Sequence, residues 1–253
     1  MSGPASVLAR QRRDHVELDR LLNQLGRHRG GAQAPVLLAM SRLVFPHAFA
    51  EESVLWPVIR RVHPDGQALT LQNEKEHQRI NELWTRLEEV EPGTPESDQL
   101  LNDIVPLLRL DVRDEEDALL PALQAKLSPT QLRLLGYLWE AVRRFAPTRP
   151  HPIVARRPPG NVLAALPLTV IDRLRDRIEA RLHAQPNAPA LYRLDAGLKQ
   201  AGHALERLPG MKTGEDPVTR VPGRGVGWPT FGLVAALGAA ALVLQRRRDP
   251  ALA

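Results

Sequence analysis

The sequence predicts an all-α protein built on an antiparallel four-helix bundle, and three observations predict it. Apolar residues recur at helical spacing through the first half of the chain, and no stretch alternates with period two, so no sheet is expected. Long helical segments of roughly 22–32 residues are separated by short Gly- and Pro-containing breaks, the proportions of an up-and-down bundle. The second pair of segments repeats key residues of the first pair, so one helical hairpin is used twice.

The elements follow in order. Residues 4–25 place Val7, Leu8, Val16, Leu18, Leu21, Leu22 and Leu25 on one broad apolar face, and Gly26, Gly30 and Gly31 end the helix. Residues 35–62 open on Pro35, which suits a first helical turn, and stop at His63-Pro64-Asp65-Gly66. Residues 67–90 run to the Glu91-Pro92-Gly93-Thr94-Pro95 break, and residues 96–127 form the fourth segment. Ser128-Pro129 then starts a fifth helix, a cap followed by proline at the first helical position. Pro46, Pro57 and Pro106 fall inside helices and each should kink its helix, because each removes a backbone hydrogen bond. Pro121 lies near the end of segment four.

Beyond the bundle (residues 1–146) the composition changes. Residues 147–161 are Pro-rich and read as a stiff, extended linker. Residues 162–208 read as a helical extension of two shorter helices, and residues 209–224 as a Gly/Pro linker. Residues 225–245 carry no charge and are rich in Leu, Ala and Val. As a helix they would measure about 31 Å, the hydrocarbon thickness of a bilayer, so a single transmembrane helix is expected there. Trp228 suits the interface, and residues 246–253 open with three arginines as a basic tail. The N-terminus has no signal-peptide pattern, since Arg10, Arg12, Arg13 and Asp14 interrupt any apolar core. The expected location is the cell membrane, held by the C-terminal helix, with the bundle in the cytoplasm. The triple arginine after the span argues for the opposite orientation, and the missing export signal is given more weight.

The net charge of +5 is unevenly spread. Residues 1–150 hold 21 acids and 19 bases, whereas residues 151–253 hold 8 acids and 15 bases. With only 4% aromatics, this is a basic tail rather than a nucleic-acid footprint, and no nucleic-acid partner is expected. The chain has no cysteine, which excludes disulfides, zinc fingers, iron–sulfur clusters and thiol catalysis. Any metal must be held by His, Asp and Glu.

Those residues carry the repeat. Asp14-His15 precedes His47, Glu51, Glu52, Leu55 and Pro57; Glu76-His77 precedes Asp111, Glu115, Glu116, Leu119 and Pro121. The offset is 62 residues for Asp14-His15 against Glu76-His77 and 64 for 47/111, 51/115, 52/116, 55/119 and 57/121. Residues i and i+4 share a helix face, so His47 projects with Glu51 and Asp111 with Glu115. Two such hairpins packed about a pseudo-two-fold bring His15, His47, Glu51, His77, Asp111 and Glu115 to one level of the core, the way bundles build dinuclear carboxylate sites. Imidazole and carboxylate donors suit iron or manganese. Glu52 and Glu116 fall off the ligand face and read as surface or outer groups. Trp56, Trp84 and Trp139 read as packing residues, and His28, His63, His151, His183 and His203 lie outside the repeat. The alternative for the charged second half is a solvated face.

A His followed by His-x3-Glu with a second Glu and a downstream Leu-x-Pro, used twice across residues 10–145, resembles the hemerythrin-like, or HHE, domain family. The helix around 172–176 also looks like the C-terminal extension of some bacterial members. The resemblance implies a non-haem, oxo- or hydroxo-bridged di-iron centre. In it His15 and His47 ligate one iron, His77 ligates the other, and Glu51 and Glu115 bridge. It implies dioxygen, nitric oxide or peroxide as ligand. The departure is Asp111, where the family pattern has His. A carboxylate there makes the site more anionic and favours the ferric state, so sensing or peroxide-linked roles are expected over oxygen transport. Asn73 stands where some oxygen carriers place a further His. Two irons are expected, with one as the alternative should the second half be degenerate and the bundle serve as an interaction module. An oxidase or peroxidase is the third reading. A sensor would need a separate, unidentified protein partner, because no output domain is legible.

Overall fold

A computed structural model describes residues 3–221. Among them there are nine α-helices and no strand: α1 (Val7–Leu25), α2 (Ala34–Ala50), α3 (Trp56–Val62), α4 (Gly66–Leu87), α5 (Pro95–Asp114), α6 (Leu120–Lys126), α7 (Pro129–Arg144), α8 (Gly160–Ala184) and α9 (Pro189–Glu206). Two π-helical turns, Glu51–Leu55 and Glu115–Leu119, join α2 to α3 and α5 to α6 without a break. The bundle therefore consists of four rods: α1, α2–α3, α4 and α5–α6. The fifth helix, α7, packs across α1 and α2.

The local chemistry explains the ends. Thr94 accepts the Ser97 backbone N–H at the start of α5, with Pro95 in the first turn. Ser128 and Gln131 form a reciprocal capping box at the start of α7. Pro46 and Pro106 lie inside continuous helices. Pro57 and Pro121 instead follow directly on the π turns, where the Trp56 N–H bonds Glu51 O and the Leu120 N–H bonds Glu115 O. A proline ring in a regular α-turn clashes with the carbonyl four residues back, and the wider turn relieves that clash. The repeated proline is thus the sequence signature of the repeated π turn.

Two apolar clusters fill the bundle. One joins Leu18, Leu22 and Leu25 of α1 to Met40 and Phe45 of α2, Leu83 and Trp84 of α4, and Leu100, Ile104 and Leu108 of α5. The other joins Val7 and Leu8 to Leu55, Trp56 and Ile59, to Leu119, Leu120 and Leu123, and to Leu132 and Trp139 of α7. Between them every rod carries polar residues that are buried: Asp14-His15, His47 with Glu51-Glu52, Asn73, Glu74, Glu76 and His77, and Asp111 with Glu115. A polar layer between two apolar ones is costly unless its groups are paired or hold an ion.

Residues 145–159 have no regular helix, as their prolines require, but they are packed rather than open to solvent. Arg149 is buried and bonds Glu88, Asp176 and Glu179; the His151 N–H bonds Asn81 Oδ1; Arg157 bonds Glu74 of α4 at 2.6 Å. Helices α8 and α9 pack on each other around Val154, Ala164, Leu168 and Leu205. Arg175 of α8 is buried against Asp195 of α9 at 3.1 Å. Among the described residues no helix is long and apolar enough to cross a membrane. The segment 225–245, read as a transmembrane helix, lies outside the described residues.

Candidate metal centre

The six side chains singled out by the repeat meet in the polar layer. His15 comes from α1, His47 from α2, His77 from α4 and Asp111 from α5, while Glu51 and Glu115 are the first residues of the two π turns. His15 Nε2 lies 3.0 Å from Glu115 Oε2, and His47 Nε2 lies 3.1 Å from Glu51 Oε1 and 3.9 Å from Glu115 Oε2. On the other side, His77 Nε2 lies 3.3 Å from Asp111 Oδ1, 3.8 Å from Glu51 Oε2 and 3.9 Å from Glu115 Oε1. Two triads result, His15–His47–Glu115 and Glu51–His77–Glu115, each with donor atoms within 4.8 Å of one another. Glu115 belongs to both.

The donor atoms fit a cation better than they fit each other. Both oxygens of Glu51, both oxygens of Glu115, His15 Nε2 and His77 Nε2 are buried without a hydrogen-bond partner. His15 Nε2 and Glu115 Oε2, and His47 Nε2 and Glu51 Oε1, stand near 3 Å apart, yet none of Glu51 Oε1, Glu115 Oε2 and His15 Nε2 makes a hydrogen bond. Unpaired buried carboxylate oxygens are expensive, and a shared cation would satisfy them.

The outer ring nitrogens are held in place. His15 Nδ1 bonds Glu116 Oε1 at 2.8 Å, His77 Nδ1 bonds Glu52 Oε1 at 2.9 Å, and His47 Nδ1 faces Asp14 Oδ2 at 3.4 Å. A carboxylate on Nδ1 sets the tautomer that leaves Nε2 as donor to a metal. Each repeat supplies this group to the other: Glu116 serves His15, and Glu52 serves His77. A 3.6-residue helical wheel puts Glu52 and Glu116 off the ligand face, whereas the wider π turn brings Glu52 inside, to 1% exposure. Asn73 donates to Asp111 Oδ1 at 3.1 Å and so orients Asp111. Trp56 stacks on His77 and Trp139 meets His47 edge-on, walling the histidines as packing residues.

The family model of the hemerythrin HHE cation binding domain matches residues 6–123. This chain carries a hemerythrin HHE domain. The match spans both hairpins and all six central side chains. An uncharacterized hemerythrin-like protein of Schizosaccharomyces pombe is 25% identical over 134 residues, covering 53% of this chain and 66%, just under two thirds, of that relative. No solved structure matches significantly.

The hemerythrin domain perturbs its own titration. Burial opposes charge on His47, but Glu51, Asp14 and Glu115 outweigh it and hold the imidazole well above its ordinary value. His77 is raised likewise against burial, by Asp111, Glu115 and Glu52. Burial and then the neighbouring Glu115 push Glu51 up to about 7. Glu115 is driven the other way: burial would raise it, yet the three histidines hold it well below the usual carboxylate range. Beside His15, His47, Asp111 and Glu115 lies a cavity of about 20 Å³, lined also by Asp14, Leu18, Val44, Ala48, Leu108 and Val112. It has room for one water-sized or diatomic guest between charged and apolar walls.

Proposed function

We propose that this chain is a hemerythrin-like di-iron protein that binds or senses dioxygen, nitric oxide or peroxide. The observation that carries the reading is Glu115, whose two unpartnered buried oxygens are shared by two triads of donor atoms. His15, His47 and Glu115 would hold one iron, and Glu51, His77 and Glu115 the other, with Asp111 beside His77. Bound iron supplies redox chemistry toward a small oxygen or nitrogen species. The chain's own residues do the rest. Glu116, Asp14 and Glu52 orient the three imidazoles, Trp56 packs on His77 and Trp139 on His47, and Leu18, Val44, Leu108 and Val112 line the small cavity beside them. Manganese suits the same donors, so loading decides between the metals.

The test is iron per chain, and the visible spectrum with and without azide, after reducing, iron-replete loading of the full chain. Two irons and an azide-sensitive spectrum are expected; fewer than about one metal per chain refutes the reading. We further propose that residues 225–245 anchor the protein in the membrane with the bundle on the cytoplasmic side. The support is their uncharged, membrane-length composition. Deleting residues 225–253 should move the protein from the membrane to the soluble fraction; an unchanged distribution refutes the anchor.

A further inference from the structure

The two hairpins repeat, but their outer carboxylates do not have the same surroundings. Glu116, which holds His15, has a side chain 39% exposed and pairs with no arginine among the described residues. Glu52, which holds His77, is buried, and Arg156 Nη1 stands 3.7 Å from the same Oε1 that accepts from His77. Its second oxygen has no partner. Arg156 belongs to the Pro-rich connection that follows the hemerythrin domain. It is buried there, with Nη2 donating to the carbonyls of His151 at 2.7 Å and Val154 at 3.1 Å, while its backbone N–H bonds Glu215. One guanidinium thus ties the connection's backbone to the carboxylate that aims a metal-facing histidine.

We infer that Arg156 is a positioning residue of the His77 half of the site, fixing Glu52 against His77 and so coupling metal loading to the docking of the C-terminal extension. The inference rests on the proposed metal centre. Glu52 sits on the π turn Glu51–Leu55, from which its carboxylate reaches His77 Nδ1. Outer-sphere partners of ligating histidines commonly govern affinity by about 10–100-fold. Coupling is reciprocal: if docking of the connection favours metal, metal favours docking by the same factor. The neighbouring Arg157 provides a control, since it clamps the same connection to Glu74 at 2.6 Å and to Asp216 at 3.1 Å without touching Glu52.

The experiment titrates ferrous iron alone into the full chain and its variants, with backbone hydrogen exchange read over residues 154–161 and 206–219. Wild type is expected to take up two irons and to slow exchange in both segments on loading. R156M should bind one of the two irons about 10–100-fold more weakly and lose the iron-dependent protection. R156K should restore both, and R157M, which leaves the Arg156–Glu52 pair in place, should take up both irons and keep the iron-dependent protection. If R156M does not fold, R156Q, which keeps donors for the His151 and Val154 carbonyls, carries the same expectation. R156M (or R156Q) that loads both irons with wild-type affinity overturns the inference while the metal centre stands. Wild type that takes up no iron overturns the metal reading and this inference with it.

Discussion

Glu115→Gln is the sharpest perturbation of the site, because Glu115 is the one side chain common to both triads. The amide keeps the volume but loses the charge, and it offers one acceptor oxygen where the carboxylate offered two. It cannot serve both triads. A site filled at a thousandfold excess of free metal over its dissociation constant stabilises the fold by about 4 kcal/mol. For a chain of this size that is a rise in Tm of roughly 8–16 °C per site. Iron should therefore raise the Tm of wild type by two such increments. His15→Ala, which touches only the His15–His47–Glu115 triad, should lose one increment, and Glu115→Gln should lose most of both. The assay is calorimetry with iron or with chelator. It reads the difference between the two conditions rather than the absolute Tm, because Glu115 also neutralises His15, His47 and His77 in the apo protein. A Glu115→Gln chain that keeps the full iron-dependent rise and two irons would refute the assignment of a shared ligand.

Three further outcomes are expected. Burial opposes charge on His151, but Asp172 and Glu206 lift it to about 10, while its imidazole and His203 bring Glu206 down to about 2 against burial. The histidine's contribution is complete below its unfolded value near 6.5 and lost as pH rises through 10, and the glutamate's is complete above about 4.5 and lost as pH falls through 2. Urea midpoints should therefore peak near pH 5–6 and decline toward pH 10, and His151→Ala should flatten that decline; a variant with the wild-type profile would contradict the pairing. Gly136→Ala would set a methyl 2.2 Å from Ala5 O and 2.9 Å from Val7 N, so the N-terminal turn must shift, with an expected loss of about 1–3 kcal/mol by urea unfolding. Asp111→Asn should leave iron content unchanged, since neither triad uses Asp111, yet raise the reduction potential by removing a negative charge beside His77. An unaltered potential by voltammetry would separate Asp111 from the metal.

The hairpin repeat made the four rods and the meeting of His15, His47, Glu51, His77, Asp111 and Glu115 legible, because i and i+4 spacing maps directly onto one helix face. The outer carboxylates were less so. Glu52 and Glu116 stand five residues after His47 and Asp111, off the face of any regular α-helix. Only the π turn brings them to His77 and His15. Its mark was present as Pro57 and Pro121 at the repeat offset, the first read as a kink and the second only as lying near the end of segment four. The packing of the Pro-rich connection had no local mark. Its partners Glu88, Glu74 and Asn81 lie 61 to 83 residues away and would look the same in a solvated linker.

A repeat read by itself implies equal halves, and the inequality here has two distinct origins. One is inside the repeat: Asp111 stands opposite His47, so the His77 side carries an extra carboxylate where the His15 side carries an imidazole. The other comes from outside it, since Arg156 reaches Glu52 while Glu116 meets solvent. The two charges oppose each other across His77, an anion on its Nε2 side and a cation behind its Nδ1 partner. Asp111→Asn removes the first and Arg156→Met the second, so the double variant should return the reduction potential of the His77 half toward that of wild type while leaving its metal affinity reduced. A loss of affinity no greater than that of Arg156→Met alone, with a compensated potential, is the signature of two independent electrostatic contributions to one histidine, and a fold-wide defect would move both in the same direction.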